Sequence, residues 1–113
     1  ELLRREGDGD HRSHLALQTY VYSVQKAVGA MASSLGGIDA LVFTGTVGER
    51  SAPIRERIAS RLHYLDLILD AEANTSTEAP QKLSVISRLA HSKPVYVAPA
   101  NESAEIVRHL TAS

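Results

Sequence analysis

Cysteine is absent from this sequence, which excludes disulfides, thiolate metal ligands and a thiol nucleophile, and suits a reducing compartment. Aromatic residues make up only 4% of the chain, so a core must be built from Leu, Val, Ile and Ala. Long apolar runs are missing as well. Runs such as residues 40–43 are far too short to cross a bilayer. The opening residues, Glu1-Leu2-Leu3-Arg4-Arg5-Glu6, lack the basic-then-apolar layout of a secretory leader, so a cytoplasmic location is expected. Neither sign of charge dominates. A net charge of −1 offers no general attraction to nucleic acid or anionic membrane, and no basic residues interleave with aromatics as a base-stacking surface requires. Neither kind of partner is expected.

What is present is an ordinary globular composition, 43% apolar and 22% charged over 113 residues. That suits one domain with one modest core. Residues 1–11 form a polar lead-in. Asp8-Gly9-Asp10 within it begins like a calcium loop but lacks the rest of that pattern, so a turn or disordered stretch is expected. Over residues 12–35, Leu17, Tyr20, Val21, Val24, Val28, Met31, Ala32 and Leu35 recur at helical spacing and predict one long helix with a packing stripe. Gly36-Gly37 ends it, because glycine takes the left-handed conformation without a side-chain clash.

Residues 38–44, Ile-Asp-Ala-Leu-Val-Phe-Thr, read as a strand buried on both faces. Gly45-Thr46-Val47-Gly48 leaves it. Ser51 caps the next helix, with Pro53 tolerated in its first turn. Ile54, Ile58, Leu62 and Leu65 supply that helix's buried stripe, and Arg55, Glu56, Arg57 and Arg61 are expected to face solvent. A short strand is expected at 66–70, a polar loop at 71–82, short strands at 83–86 and 94–98, and a last helix capped by Asn101. Strands alternating with helices give an α/β layer with mostly parallel pairing.

Two stretches have the chemistry for a ligand. Phe43-Thr44-Gly45-Thr46-Val47-Gly48-Glu49-Arg50-Ser51 runs from a strand through a glycine turn into a helix. Ligands of open α/β sheets bind at such carboxyl ends, and backbone amides there favour anions. It is neither a phosphate-binding Gly-Lys-Ser/Thr loop nor Gly-x-Gly-x-x-Gly, and many such turns serve only geometry. Pro99-Ala100-Asn101-Glu102-Ser103 occupies the same kind of place after the last strand. Glu102 is well explained as a first-turn carboxylate favoured by the helix dipole. It also suits a hard cation such as magnesium, which takes one or two carboxylates plus waters and phosphates. On pattern alone both readings of each stretch stand. The five histidines are scattered; His11 and His14 have no third ligand nearby in sequence, and no Gly-x-Ser-x-Gly nucleophile turn occurs.

Taken together, three segments resemble the acetate kinase family in order and spacing. Residues 36–49 resemble the family's Gly-Gly-x-Asp-Ala-Leu-Val-Phe-Thr-Gly-Gly-Ile-Gly-Glu, followed by Ile54-Arg55. Val97-Ala98-Pro99-Ala100-Asn101-Glu102 resembles Val-Ile-Pro-Thr-Asn-Glu near the family's carboxyl end. Tyr22, Lys26 and Val28-Gly29-Ala30 resemble its Tyr-x-Ile-x-Lys-x-Ile-Gly-Ala. The resemblance implies part of an actin-like, ribonuclease H-like ATPase domain, with helices on a small, mostly parallel sheet. Residues 1–113 would be the carboxy-terminal part of its nucleotide-binding domain. It implies reversible transfer of the ATP γ-phosphoryl group to acetate, giving acetyl phosphate, in the cytoplasm. Nucleotide contacts fall on Gly45, Thr46, Val47, Gly48, Glu49 and Arg50, and the magnesium-side residue is Glu102. Thr46 stands in place of the family's second glycine and Arg50 in place of Asn, which exchanges a donor-and-acceptor amide for a donor-only cation. Propionate and butyrate kinases share much of this pattern, and a non-catalytic interaction or dimerisation module is the other reading. The acyl-binding part of the family is not among these residues, so the chain alone is expected to be inactive and to self-associate or form a homodimer.

Overall fold

The computed structural model describes residues 2–45, 51–78 and 80–99. The chain opens with helix α1 (Leu2–Gly7) and then α2 (His11–Leu35). The turn or disordered stretch expected at 1–11 is therefore corrected to a helix and a tight turn. Leu, Arg and Glu are good helix formers, Leu3 packs against the core, and Gly9 turns the chain with φ +88°. Asp10 caps α2, its carboxylate accepting from the amides of Arg12 at 3.0 Å and Ser13 at 3.4 Å. Gly36 ends the helix in the left-handed region at φ 77° and donates its N–H to the Ala32 carbonyl. Leu17, Val21, Val28 and Ala32 are buried as the spacing predicts, but Tyr20 and Leu35 are exposed. A stripe on so long a helix is wider than the core it covers.

Strand β1 (Leu41–Phe43) follows, then helix α3 (Ala52–Ala59), a 3-10 turn (His63–Leu65), helix α4 (Ala71–Ser76) and strands β2 (Ser84–Val85) and β3 (Val95–Val97). Ser51 caps α3 as expected, accepting from the Ile54 amide at 3.3 Å. The sheet order is β1-β3-β2. β1 runs parallel to β3 with Leu41, Val42 and Phe43 opposite Val95, Tyr96 and Val97, and β2 runs antiparallel to β3. The sheet is thus mixed within an α/β fold. One core joins α2, α3 and the sheet: Ile38, Leu62, Leu67, Ile86, Val95 and Val97 are each at most 1% exposed.

Three further expectations need correction. The strand at 66–70 shrinks to a single bridge, Leu69 to Ser87, because Asp66 adopts a left-handed φ of 63° after the 3-10 turn. The polar loop at 71–82 contains α4, capped by the Asp70 carboxylate on the Ala73 amide at 2.9 Å. Arg55 does not face solvent. It is fully buried, while Glu56 and Arg61 are exposed and Arg57 lies between these extremes.

Candidate functional site

Parallel pairing of β1 with β3 brings the carboxyl ends of both strands to one edge of the sheet. The pairing continues past the strands: the Ala98 amide donates to the Phe43 carbonyl at 2.9 Å, and the Thr44 hydroxyl donates to the Pro99 carbonyl at 3.4 Å. The two candidate stretches therefore leave the sheet side by side, one through Thr44-Gly45 and the other through Ala98-Pro99. Gly45 has φ +83°, and a Cβ there would meet open space. Glycine is needed here for its backbone conformation, and a side chain is not excluded by crowding. Of the predicted nucleotide contacts only Gly45 is described. Thr46, Val47, Gly48, Glu49 and Arg50, and the predicted magnesium-side Glu102, lie outside the described residues.

The chain re-enters the described structure at Ser51, the cap of α3, and that helix is held from two sides. On its inner side the Arg55 guanidinium donates through Nε to Asn74 Oδ1 at 2.8 Å, and through Nη2 to the carbonyls of Asn74 at 2.8 Å and Thr77 at 2.6 Å. Asn74, itself buried, donates from Nδ2 to the Ala52 carbonyl at 3.0 Å. Burial pushes the Arg55 pKa down, and the nearby Glu78 carboxylate partly opposes that shift. The group stays cationic nonetheless, since a guanidinium holds its proton far above neutral pH. On the outer side Arg57 makes a two-pronged contact with Glu6, one prong being Nη1 to Oε2 at 3.1 Å. His14 Nδ1 meets the same Glu6 Oε2 at 2.6 Å, and Gln25 Nε2 donates to the carbonyls of Arg57 and Ile58 at 3.0 and 3.1 Å.

These groups line a cleft of about 630 Å³ between α1, α2 and α3, with Gln18, Tyr22 and Arg61 also on its wall. No strand residue lines it, and its one carboxylate is already engaged by Arg57 and His14, so it reads as a helix clamp. Among the described residues no group of three or more His, Cys, Asp or Glu is placed to hold a metal. The described sheet end offers only hydroxyl and carbonyl oxygens, from Thr44 and Pro99. A carboxylate following Pro99 would complete the oxygen set that a hard cation uses. Arg55 and Asn74 escaped the sequence reading. The one available signal was the Ile54-Arg55 match to the family pattern, which says nothing of burial.

Among the described residues no helix is long and apolar enough to cross a membrane. A family model described as the acetokinase family matches residues 2–108. The acetate kinase of Sulfurovum sp. (strain NBC37-1) is 39% identical over 109 residues, 96% of this chain and 27% of that protein. The acetate kinase of Syntrophobacter fumaroxidans (strain DSM 10017 / MPOB) is 38% identical over 108 residues, 96% of this chain and 26% of the relative. Among solved structures, Porphyromonas gingivalis acetate kinase matches with a TM-score of 0.80 at 34% identity, covering 99% of this chain and 28% of that one. A propionate kinase from Francisella tularensis subsp. tularensis SCHU S4 matches with a TM-score of 0.76 at 29% identity, over 98% and 27% of the two chains. The chain spans about a quarter of the length of these relatives. Their shared architecture is the actin-like ATPase fold.

Proposed function

The chain belongs to the acetokinase family, and from that premise we propose that it forms the carboxy-terminal part of the nucleotide-binding domain of an acetate kinase. The reaction is reversible transfer of the ATP γ-phosphoryl group to acetate, giving acetyl phosphate. Residues 1–113 supply one side of the nucleotide and magnesium site and are inactive alone. Gly45, Thr46, Val47, Gly48, Glu49 and Arg50 bind the nucleotide, and Glu102 stands on the magnesium side. The observation that carries this reading is the parallel register of β1 and β3, which leads both stretches off the same sheet edge. Phosphoryl transfer relies on positioning and charge neutralisation more than on covalent chemistry from the protein. When bound, magnesium neutralises phosphate charge; this chain's own residues orient the nucleotide and hold the turn in place. A cytoplasmic location with no nucleic-acid or membrane partner goes with the reading and agrees with the net charge of −1.

Titration of the chain with MgATP tests it. Saturable binding weakened by Glu102→Ala only when magnesium is present is expected. An intact parent protein that forms no acyl phosphate from ATP and acetate overturns the reading. The propionate alternative has a specific basis in the Francisella tularensis propionate kinase match, and comparing acetate with propionate as acceptor in the same assay decides it. The non-catalytic alternative rests on Thr46 and Arg50, where the family pattern has Gly and Asn, and predicts no nucleotide binding at all.

The partner we propose for the chain itself is a second copy. Among the described residues β1 pairs on one side only, yet Leu41 and Phe43 are 6% and 8% exposed. Such an apolar edge tends to recruit another strand. Sedimentation velocity is expected to show concentration-dependent dimers, and a monomer at every concentration contradicts this.

A further inference from the structure

A buried polar network stands apart from the fold's apolar core, at the start of α3, where the described chain resumes after the candidate turn. Arg55 is wholly buried and Asn74 is 3% exposed. Among the described residues their side chains donate four hydrogen bonds of 2.6–3.0 Å. Three tie Arg55 to α4 and the residue that ends it. The fourth runs the other way, from Asn74 Nδ2 to the carbonyl of Ala52, the first residue of α3. Ala52 directly follows Ser51, whose hydroxyl accepts from the Ile54 amide and whose carbonyl accepts from the Arg55 amide at 3.1 Å. The start of α3 is thereby held by a cap from its own chain and by a bond from another element. Helix ends fray unless something outside the helix fixes them.

We propose that Arg55 and Asn74 are positioning residues for the nucleotide: through the Ala52 carbonyl they fix the first turn of α3, which directly follows residues 45–50 in the sequence. The inference rests on the proposed nucleotide role of residues 45–50. The division of labour follows from donor chemistry. Arg55 has no acceptor, and its described bonds go to Asn74 and Thr77; Asn74 has both donor and acceptor, so its Oδ1 receives Arg55 while its Nδ2 reaches Ala52. Asn74 is the link, and Arg55 orients its amide so that the nitrogen, not the oxygen, faces the helix.

Asn74→Asp separates the two halves of the network. A carboxylate still accepts from Arg55 but offers Ala52 no donor. Hydrogen exchange of the Ile54 and Arg55 amides is expected to speed up by about tenfold, while the Ile86 and Ala98 amides of the sheet keep their wild-type rates. MgATP affinity of the same variant, measured at a temperature where it remains fully folded, is expected to fall by roughly tenfold, as loss of preorganisation predicts. Asn74→Gln, which restores a donor at longer reach, recovers part of both effects. Equal exchange at Ile54 and Arg55 in wild type and Asn74→Asp overturns the anchoring. So does a uniform rise that includes the sheet amides, which marks a merely structural role. Local acceleration with unchanged nucleotide affinity overturns the link to the nucleotide. A wild-type chain that does not bind MgATP sinks the proposed function of the turn, and the exchange result still decides the anchoring.

Discussion

Arg55 and Arg57 stand one residue apart on the same short helix, in the triplet Arg55-Glu56-Arg57, and the fold uses them in opposite ways. Arg55 is fully buried and, among the described residues, donates to neutral oxygens of Asn74 and Thr77. Arg57 keeps 38% of its side chain exposed and meets the carboxylate of Glu6. Desolvation pushes the Arg55 pKa down, whereas the hydrogen bonds that Arg57 donates to Glu6 raise its own. The inner arginine joins α3 to α4; the outer one joins α3 to α1. A run of charges on a helix therefore does not identify its solvated face. What decides is whether another element brings enough oxygens to replace the water that a guanidinium gives up.

The comparison breaks most sharply at Arg55. Arg55→Met keeps the stem but strands the buried Asn74 side-chain oxygen and takes a donor from the Asn74 and Thr77 carbonyls, of which the former keeps, among the described residues, only the Thr77 amide. Leaving buried acceptors unsatisfied costs about 1–3 kcal/mol each in typical cases. A loss of roughly 3 kcal/mol or more is expected, equivalent to a melting temperature lower by about 10–20 °C for a chain of this size. Arg57→Met is expected to lose far less, because its pair is partly solvated and water replaces the lost partner. Thermal unfolding followed by circular dichroism checks both. Equal losses for the two variants would mean that burial does not distinguish these arginines.

This contrast also shows what was legible beforehand. Helix α2 was readable because apolar spacing and Gly36 act locally. β1 and β3 were readable because short apolar runs end in glycine or proline, and the Ser51 cap because its partner lies three residues on. Arg55 was not readable. Nothing local separates it from Arg57, and its partner Asn74 sits in a stretch whose composition reads as loop. The same absence hid α4, Ala-Glu-Ala-Asn-Thr-Ser, a segment too short to be helical by propensity alone and held by the Asp70 cap and by Arg55. Helix α1 was hidden because its anchor, Glu6 to Arg57, spans 51 residues. The candidate site was legible in position, since alternating strands and helices predict which sheet edge carries ligands. Its chemistry came from the family resemblance, because two glycines and one glutamate are common features of plain turns.

The outer pair supplies the gentlest way to sharpen the comparison, through pH. Arg57 first, and His14 second, hold the Glu6 carboxyl down at about 2 against an ordinary value of 4.5. The unfolded chain thus takes up a proton at Glu6 before the folded chain does. The pair's contribution is complete above about 4.5 and is lost as pH falls toward about 2, since stability drops wherever the unfolded state binds more protons. Urea unfolding of wild type and Glu6→Gln is expected to show a constant gap in midpoint from roughly pH 7 to 5, closing below that. Asn74 itself carries no charge at any pH, so Asn74→Ala ought to differ from wild type by a margin that changes little over the same range. If the Glu6→Gln gap were as wide at roughly pH 2.5 as at roughly pH 6, the α1–α3 clamp would be held by packing, and the charge of Arg57 would be incidental to it.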